Sequence, residues 1–97
     1  MSALRFEWDA RKSRTNKAKH GVAFDEARTA FVDENARVTP DVEHSNEEDR
    51  FVLLGLSAQL RLLIVCHCYR ESDQVIRIIS ARRADPTERR EYARWLP

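Results

Sequence analysis

The chain has 97 residues, a formal net charge of +1 and only two cysteines. This length is typical of one domain with a modest core, so we expect a single domain over residues 1–97. Two cysteines are too few for a disulfide framework, the N-terminal segment lacks the apolar stretch of a secretory signal, and no apolar run is long enough to span a membrane. The composition therefore predicts a cytoplasmic protein without a membrane anchor.

Charge is unevenly distributed along the chain. Residues 1–20 hold six basic side chains against two acidic ones, residues 21–50 hold three against nine, and residues 51–97 hold eight arginines against five acids. The small net charge therefore hides two basic ends around an acidic middle. If the two ends meet in the fold, they form a basic patch that favours anionic partners.

The first predicted elements are a short strand and a basic helix. Leu4–Glu7 has the composition of a strand, and Asp9 is placed to cap the helix that follows. The helix extends to Lys19, and Gly21 is placed to end it in the left-handed conformation. Helix propensity and the two caps predict this element, because the segment has no apolar stripe.

A shorter helix and an edge strand follow. Asp25 is expected to cap the helix, in which Phe24, Ala27 and Phe31 recur at helical spacing and form an inward stripe. Val38–Pro40 is predicted to be an edge strand, because its proline cannot donate to a central ladder.

The second half of the chain is predicted to form an antiparallel meander followed by a helix. After an exposed acidic loop over Asp41–Asp49, the apolar runs Arg50–Ser57, Leu60–Tyr69 and Gln74–Ser80 predict three hairpin-connected strands, with the middle run central in the sheet. A capping-box pattern, Asp85-Pro86-Thr87-Glu88, opens the last helix. The order of elements predicts an α+β fold of two layers, with helices on an antiparallel sheet.

The histidine and cysteine spacing does not predict a metal or cofactor site. Cys66, His67 and Cys68 are consecutive on a predicted strand, so the histidine points away from the two cysteines and the three cannot share one tetrahedral site. We expect the cysteines to be small core residues and His67 to be a hydrogen-bonded histidine on one sheet face. Two glycines are too few for a phosphate-binding loop, and no nucleophile has an evident base beside it.

The remaining candidates are cationic side chains near the end of the third meander strand. Arg77 interrupts an apolar run, and Arg82 and Arg83 follow it beside the N-terminus of the last helix. An arginine in such a run either forms a salt bridge, for which Glu88 or Glu91 are the expected acids, or binds phosphate through its planar fork. Both alternatives fit the sequence.

The end of the first helix offers a second group of candidates. Lys19 and His20 either complement the helix dipole or supply a proton acceptor near neutral pH. Trp8 is either a core anchor or a stacking surface for a base. Lys12 lies in the first turn of the same basic helix.

Four motifs in order along the chain carry a resemblance to a known family. They are Phe6-Glu7-Trp8-Asp9 with Lys12, Asn16-x-x-Lys19-His20-Gly21-Val22-x-Phe24, Arg50-Phe51 with Gly55, and Arg77-Ile78-Ile79-Ser80-Ala81-Arg82 with Glu88-Arg89. In this combination the chain resembles the BrnT family of bacterial toxins over nearly its whole length.

The resemblance implies properties that the spacing of residues does not give. It implies a RelE-like fold and a metal-independent endoribonuclease that stops translation by cutting RNA. It implies a BrnA-type antitoxin with a ribbon-helix-helix domain as the partner, so that operator DNA is bound only through the antitoxin. No cofactor and no membrane are implied.

RNA carries its own nucleophile, the ribose 2′-OH, so the protein has to supply only positioning, proton transfer and cations for the phosphorane. We expect Arg77 and Arg82 to hold the scissile phosphate and Lys19 or His20 to transfer a proton or bind phosphate. Trp8, Lys12 and Arg83 are expected to contact RNA. This hypothesis requires the lysine–histidine helix end to meet the arginines in space.

Two other functions remain open from the sequence. The same arginines would serve a catalytically inactive module that only binds nucleic acid or docks an antitoxin. A metal-dependent nuclease is less favoured, because the acids of residues 41–49 have no ligand spacing.

Overall fold

A five-stranded sheet in the order β1-β5-β4-β3-β2 organises the protein, which we describe from a computed structural model over residues 4–46 and 48–97. The elements in chain order are β1 (Arg5–Glu7), α1 (Ala10–His20), α2 (Phe24–Thr29), β2 (Arg37–Pro40), β3 (Arg50–Leu56), β4 (Leu62–Arg70), β5 (Val75–Arg83) and α3 (Pro86–Trp95). Short 3-10 turns occupy Ala30–Val32 and Val42–His44. None of the helices in these ranges is long and apolar enough to cross a bilayer.

Helix α1 begins and ends where its caps predict. The Asp9 carboxylate accepts hydrogen bonds from the backbone N–H groups of Arg11 and Lys12 at 2.8 and 3.1 Å, and Gly21 has a φ of 72°. Asn16 is the buried residue of this helix. Its side-chain amide donates to the carbonyl oxygens of Val22 and Ala81, at 2.9 and 2.8 Å, and accepts from the backbone N–H of Ala81 at 3.1 Å. One polar side chain therefore fixes α1 to β5.

Helix α2 differs from its prediction at the start. Its N-cap is Ala23, which makes no side-chain cap, and Asp25 lies one residue inside the helix, so the expected Asp25 cap is wrong. The helix begins early because Phe24 enters the core as a fully buried residue. An acid in the first turn still complements the helix dipole. The predicted stripe is confirmed, with Phe24 and Ala27 buried and Phe31 packed partly buried against the same core.

The meander is confirmed, with β4 central in the sheet and β2 at one edge. The sheet is mixed, however, because β1 pairs in parallel with Val75–Arg77 of β5. A meander leaves one side of β5 without a strand, and β1 supplies hydrogen-bond partners for part of that edge. The predicted acidic loop contains the turn Val42–His44, and Glu47 in that loop lies outside the described residues.

The two faces of the sheet are covered by different helices. Leu53, Leu63, Val65, Ile78 and Ala81 form a core with residues of α2 and the segments beside it. On the opposite face, α3 packs against β3 and β4 through Tyr92 and Trp95, which contact a cluster that includes Leu54 and Leu62. The predicted α+β fold is confirmed, with α3 on the sheet face opposite α2, because alternation along the strands makes both faces apolar at this end of the sheet.

Candidate active site

A groove runs along the sheet face that α3 only partly covers. It has a volume of about 440 Å³ and is bordered by β3, β4, β5, the first turn of α3 and the turn Val42–His44, and we call it the α3 groove. Its lining residues are Thr39, Asp41, His44, Arg50, Val52, Ile64, Cys66, Ile79, Ser80, Arg82 and Glu88.

A β-bulge decides which arginines face this groove. Residues 77 and 82 are five apart, so in a regular strand they would point to opposite faces. The pairing of β4 with β5 shifts by one residue, because His67 is opposite Ile78 whereas Cys66 is opposite Ser80. Ile78 and Ala81 therefore both face the α2 core, and Arg77 and Arg82 both face the other side of the sheet.

A third arginine joins them from β3. Arg50 is opposite Cys68, and Cys68 is opposite Arg77, so the small cysteine lies in a cross-strand row between two arginines. Nε of Arg50 is buried and has no hydrogen-bond partner among the described residues, with the nearest salt-bridge oxygen, Oε1 of Glu48, 3.9 Å away. Most buried donors in folded proteins have a partner, so this one is unusual.

The other two arginines, Arg77 and Arg82, form salt bridges with carboxylates. The guanidinium of Arg82 donates to both carboxylate oxygens of Glu88 at 2.8 and 2.9 Å, and these hydrogen bonds hold the pKa of Glu88 below its ordinary value. Glu88 also accepts from the backbone N–H of Asp85, which completes the predicted capping box. Arg77 donates to Glu7 at 2.7 Å, and not to Glu88 or Glu91 as the salt-bridge alternative proposed.

A histidine with a carboxylate partner borders the groove beside Arg50. Nδ1 of His44 lies 2.9 Å from Oδ2 and 3.1 Å from Oδ1 of Asp41. An ionised carboxylate can only accept, so Nδ1 carries a proton, and in the neutral form of the ring Nε2 has the free lone pair. The side chain of His44 is 62% exposed, which leaves the ring accessible to a ligand. The arrangement suits a proton acceptor oriented by an acid.

The cysteines and His67 take no part in such chemistry. Burial, with a further contribution from the charge of Asp41, raises the pKa of the Cys66 thiol, and burial also raises the pKa of Cys68. Thiols in this state are poor nucleophiles. His67 is fully buried on the α2 side, where its Nδ1 lies 3.1 Å from the Val65 carbonyl oxygen. The described ranges contain no group of three or more His, Cys, Asp or Glu side chains that could hold a metal ion.

Lys19 and His20 are not among the side chains that line the α3 groove with Arg82. Both residues belong to the last turn of α1, which Asn16 joins to the backbone of Ala81 at the edge of β5. The α3 groove therefore contains Arg82 without Lys19 or His20. The sequence could not show this, because it depends on where the helix after β1 lies against β5.

The three residues predicted to contact RNA also lie outside the groove. Trp8 is half-buried against the core, with its ring centroid 6.2 Å from that of Phe24 in an edge-to-face contact. Lys12 is exposed on α1. Arg83 is exposed and follows Ala81 by two residues on β5, so it lies on the α2 side of the sheet.

His44 and Arg50 were not selected from the sequence. The signal for Arg50 was available, because strand alternation places it on the face of Val52 and Leu54, away from Phe51. His44 had a weaker signal, the spacing Asp41-x-x-His44, which brings acid and imidazole together only in the turn that Val42–His44 forms.

Comparison with known proteins agrees with this architecture. A sequence model described as the ribonuclease toxin BrnT of type II toxin–antitoxin systems matches residues 8–88. The crystal structure of the Brucella abortus ribonuclease toxin BrnT superimposes with a TM-score of 0.65 at 26% identity, covering 86% of this chain and 99% of that one. No match was found among curated proteins. The family match covers most of the chain, and this protein therefore belongs to the BrnT family of ribonuclease toxins of type II toxin–antitoxin systems.

Proposed function

We propose that this protein is a metal-independent endoribonuclease whose reaction takes place in the α3 groove. The observation that carries the proposal is the grouping of Arg50, Arg82 and the Asp41–His44 pair around one cleft on the open face of the sheet. Two guanidinium groups suit a phosphate, and an oriented imidazole suits proton transfer. The groove thus offers the functions that RNA cleavage needs besides the nucleophile.

The reaction forms one bond and breaks one. The 2′-oxygen attacks the adjacent phosphorus, the 5′-oxygen leaves, and the products carry a 2′,3′-cyclic phosphate and a 5′-OH. Nε2 of His44 accepts the proton of the 2′-OH, and the leaving 5′-oxygen takes a proton from water. Arg50 and Arg82 neutralise the charge that develops on the phosphorane oxygens, where each preorganised donor is worth about 3–4 kcal/mol.

The carboxylate of Glu88 has a place in this scheme. It holds Arg82 in the groove before RNA binds, and the scissile phosphate then replaces Glu88 as acceptor for part of the Arg82 guanidinium. Arg77, in its ion pair with Glu7, extends the cationic row and binds a neighbouring phosphate. Lys19 and His20 transfer no proton in this scheme.

The biological setting follows the family. Membership of a type II system implies an antitoxin partner. We propose that this partner is a BrnA-like protein with a ribbon-helix-helix domain, that operator DNA is bound through it, and that the freed toxin inhibits translation in the cytoplasm by cutting RNA.

The test is RNA cleavage by purified protein in EDTA. We expect cleavage by the wild type, with kcat lowered about 10²–10³-fold in Arg50→Ala and His44→Ala. Arg28→Ala is the matched control, because Arg28 is an exposed cation of α2 on the other side of the sheet. Its cleavage rate should equal that of the wild type.

Other outcomes would assign the protein differently. Cleavage that appears only with a divalent ion would contradict the metal-independent mechanism. Binding without cleavage in either condition would favour the inactive module that docks nucleic acid or antitoxin. If His20→Ala loses more activity than His44→Ala, the reaction does not take place in the α3 groove.

A further inference from the structure

Helix α1, which lies along the edge of β5, carries several positive charges and no negative ones. Residues 10–20 include five lysines and arginines and no acid. These five side chains, Arg11, Lys12, Arg14, Lys17 and Lys19, are all exposed. None of them forms a salt bridge with a described residue, whereas the arginines on the α3 face, Arg50, Arg70, Arg77 and Arg82, each have a carboxylate within 4 Å.

Local structure does not require these cations. The helix is capped by Asp9 and Gly21 and fixed to the sheet by Asn16, none of which is cationic. Only the last turn gains from positive charge through the helix dipole, which cannot account for Arg11 or Arg14 near the N-terminus. Repulsion between neighbouring cations lowers the stability of a helix, and the contacts that cap and anchor α1 do not use these cations.

We infer that α1 is a second RNA-binding surface, which holds the phosphate backbone of RNA that flanks the cut. The inference rests on the proposed function for the nature of the substrate. The five cations lie along a helix of about 16 Å, which is long enough to meet several phosphates. Contacts of this kind position the strand without reading its sequence.

The edge of the sheet provides a path from the groove to α1. Strand β1 pairs only with Val75–Arg77 in the described chain, so from Ile78 to Arg83 no strand lies beyond β5 on that side. Asn16 of α1 occupies this edge, where it bonds both backbone groups of Ala81. Arg82, one residue further along, faces the groove. An RNA strand that leaves the groove beside Arg82 therefore reaches α1 by crossing a single strand.

The surface of α1 favours RNA over an acidic protein as the ligand. Protein interfaces need buried aromatic or aliphatic anchors at their centre. The exposed positions of α1 offer only small or long cationic side chains, such as Thr15, Ala18 and Lys17, and no large apolar residue. Phosphates need only cations on flexible stems.

The test compares two triple variants with the same change in charge. Arg11→Gln/Arg14→Gln/Lys17→Gln removes three cations from α1, and Arg89→Gln/Arg90→Gln/Arg94→Gln removes three exposed cations from α3. All substituted positions are exposed and glutamine is a good helix former, so both variants should fold, which circular dichroism and thermal melting check. Fluorescence anisotropy at several salt concentrations measures binding of 2′-O-methyl RNA, which lacks the nucleophile and cannot be cut by this route.

We expect the α1 variant to bind this RNA roughly tenfold more weakly at low salt. The slope of log K against log[salt] should become about 2 less steep, because each phosphate contact to a single strand contributes about 0.7 to this slope. The α3 variant should match the wild type. With cleavable RNA, the α1 variant should show a raised KM for a long oligonucleotide relative to a dinucleotide, with kcat for the long oligonucleotide retained.

Equal RNA binding by both triple variants would overturn the inference. A larger loss of polyglutamate binding than of RNA binding in the α1 variant would also overturn it, because that result would indicate an acidic protein as the ligand of α1. Because binding is measured without cleavage, this result is separate from the proposed function. If the wild type binds RNA through α1 but does not cut it, the proposed nuclease activity is contradicted and the inference of an RNA-binding surface on α1 is still supported.

Discussion

The two faces of the sheet differ in how completely they are covered. The face toward α1 and α2 has a continuous apolar core, and its buried polar groups, such as Asn16 and His67, have hydrogen-bond partners inside the protein. The face toward α3 is covered at one end by Tyr92 and Trp95. Elsewhere on that face the α3 groove exposes arginines to solvent.

This difference indicates that the face covered by α2 mainly contributes stability, whereas the face partly covered by α3 is open to a substrate. Burying a guanidinium without a partner is costly, so arginines collect where the sheet is half covered and a carboxylate or a ligand can reach them. If the comparison is right, substitutions on the α3 face should change activity more than stability, and substitutions of buried residues on the opposite face should do the reverse.

The largest expected effect is on the groove side. Arg82→Ala should lower kcat for RNA cleavage about 10²–10³-fold, because it removes a preorganised donor from the phosphorane. Stability should change by less than about 1 kcal/mol, because the Arg82 side chain is 44% exposed and such ion pairs contribute little. Cleavage kinetics and thermal melting of the same preparation measure both effects.

Glu88→Gln is the matched control for Arg82→Ala. Glutamine also serves at this position of a capping box, so the start of α3 is preserved. The glutamine amide oxygen can still accept from Arg82 and hold it in the groove, so cleavage should be retained, and removal of the competing charge should tighten phosphate binding. A loss of activity in Glu88→Gln as large as that in Arg82→Ala would show that the carboxylate itself acts in the reaction, and full activity in Arg82→Ala would remove this arginine from the mechanism.

The second effect is on the covered face. Asn16→Ala leaves three backbone groups, the Val22 carbonyl and both polar groups of Ala81, without their side-chain partner. We expect a loss of about 3 kcal/mol in the free energy of unfolding, since each buried unsatisfied group costs about 1–3 kcal/mol. Urea denaturation measures this loss, with exposed Asn46→Ala as the control. A change in kcat of the folded fraction would break the division between the two faces.

Most of the fold could be predicted from the sequence because its signals are local. The caps at Asp9, Gly21 and Asp85 and the apolar runs of the meander strands each depend on a few neighbouring residues, and all are confirmed. The Asp25 cap failed because burial of Phe24 set the start of α2. The parallel pairing of β1 was missed because it depends on an edge of β5 about 70 residues away.

The site was less predictable, since its geometry comes from long-range features. A bulge near Ser80 places Arg77 and Arg82 on one face, and no local pattern marks such an extra residue. The position of Lys19 depends on where α1 lies against β5, and this basic helix has no apolar face from which that position could be predicted. The cationic residues could be selected by type, but their grouping required the tertiary structure.

The smallest expected effect is a pH dependence of stability on the covered face. Burial lowers the pKa of His67 below its ordinary value of 6.5, so the folded protein binds a proton less readily than the unfolded chain. The stability that this group contributes is present above about pH 6.5 and is lost as the pH falls toward the lower folded pKa. In His67→Phe, where an aromatic ring still contacts Phe31 and Tyr69, the free energy of unfolding should depend less on pH between about 7 and 5. An unchanged slope in His67→Phe would contradict this prediction, because it would mean that the buried imidazole takes up its proton without loss of stability.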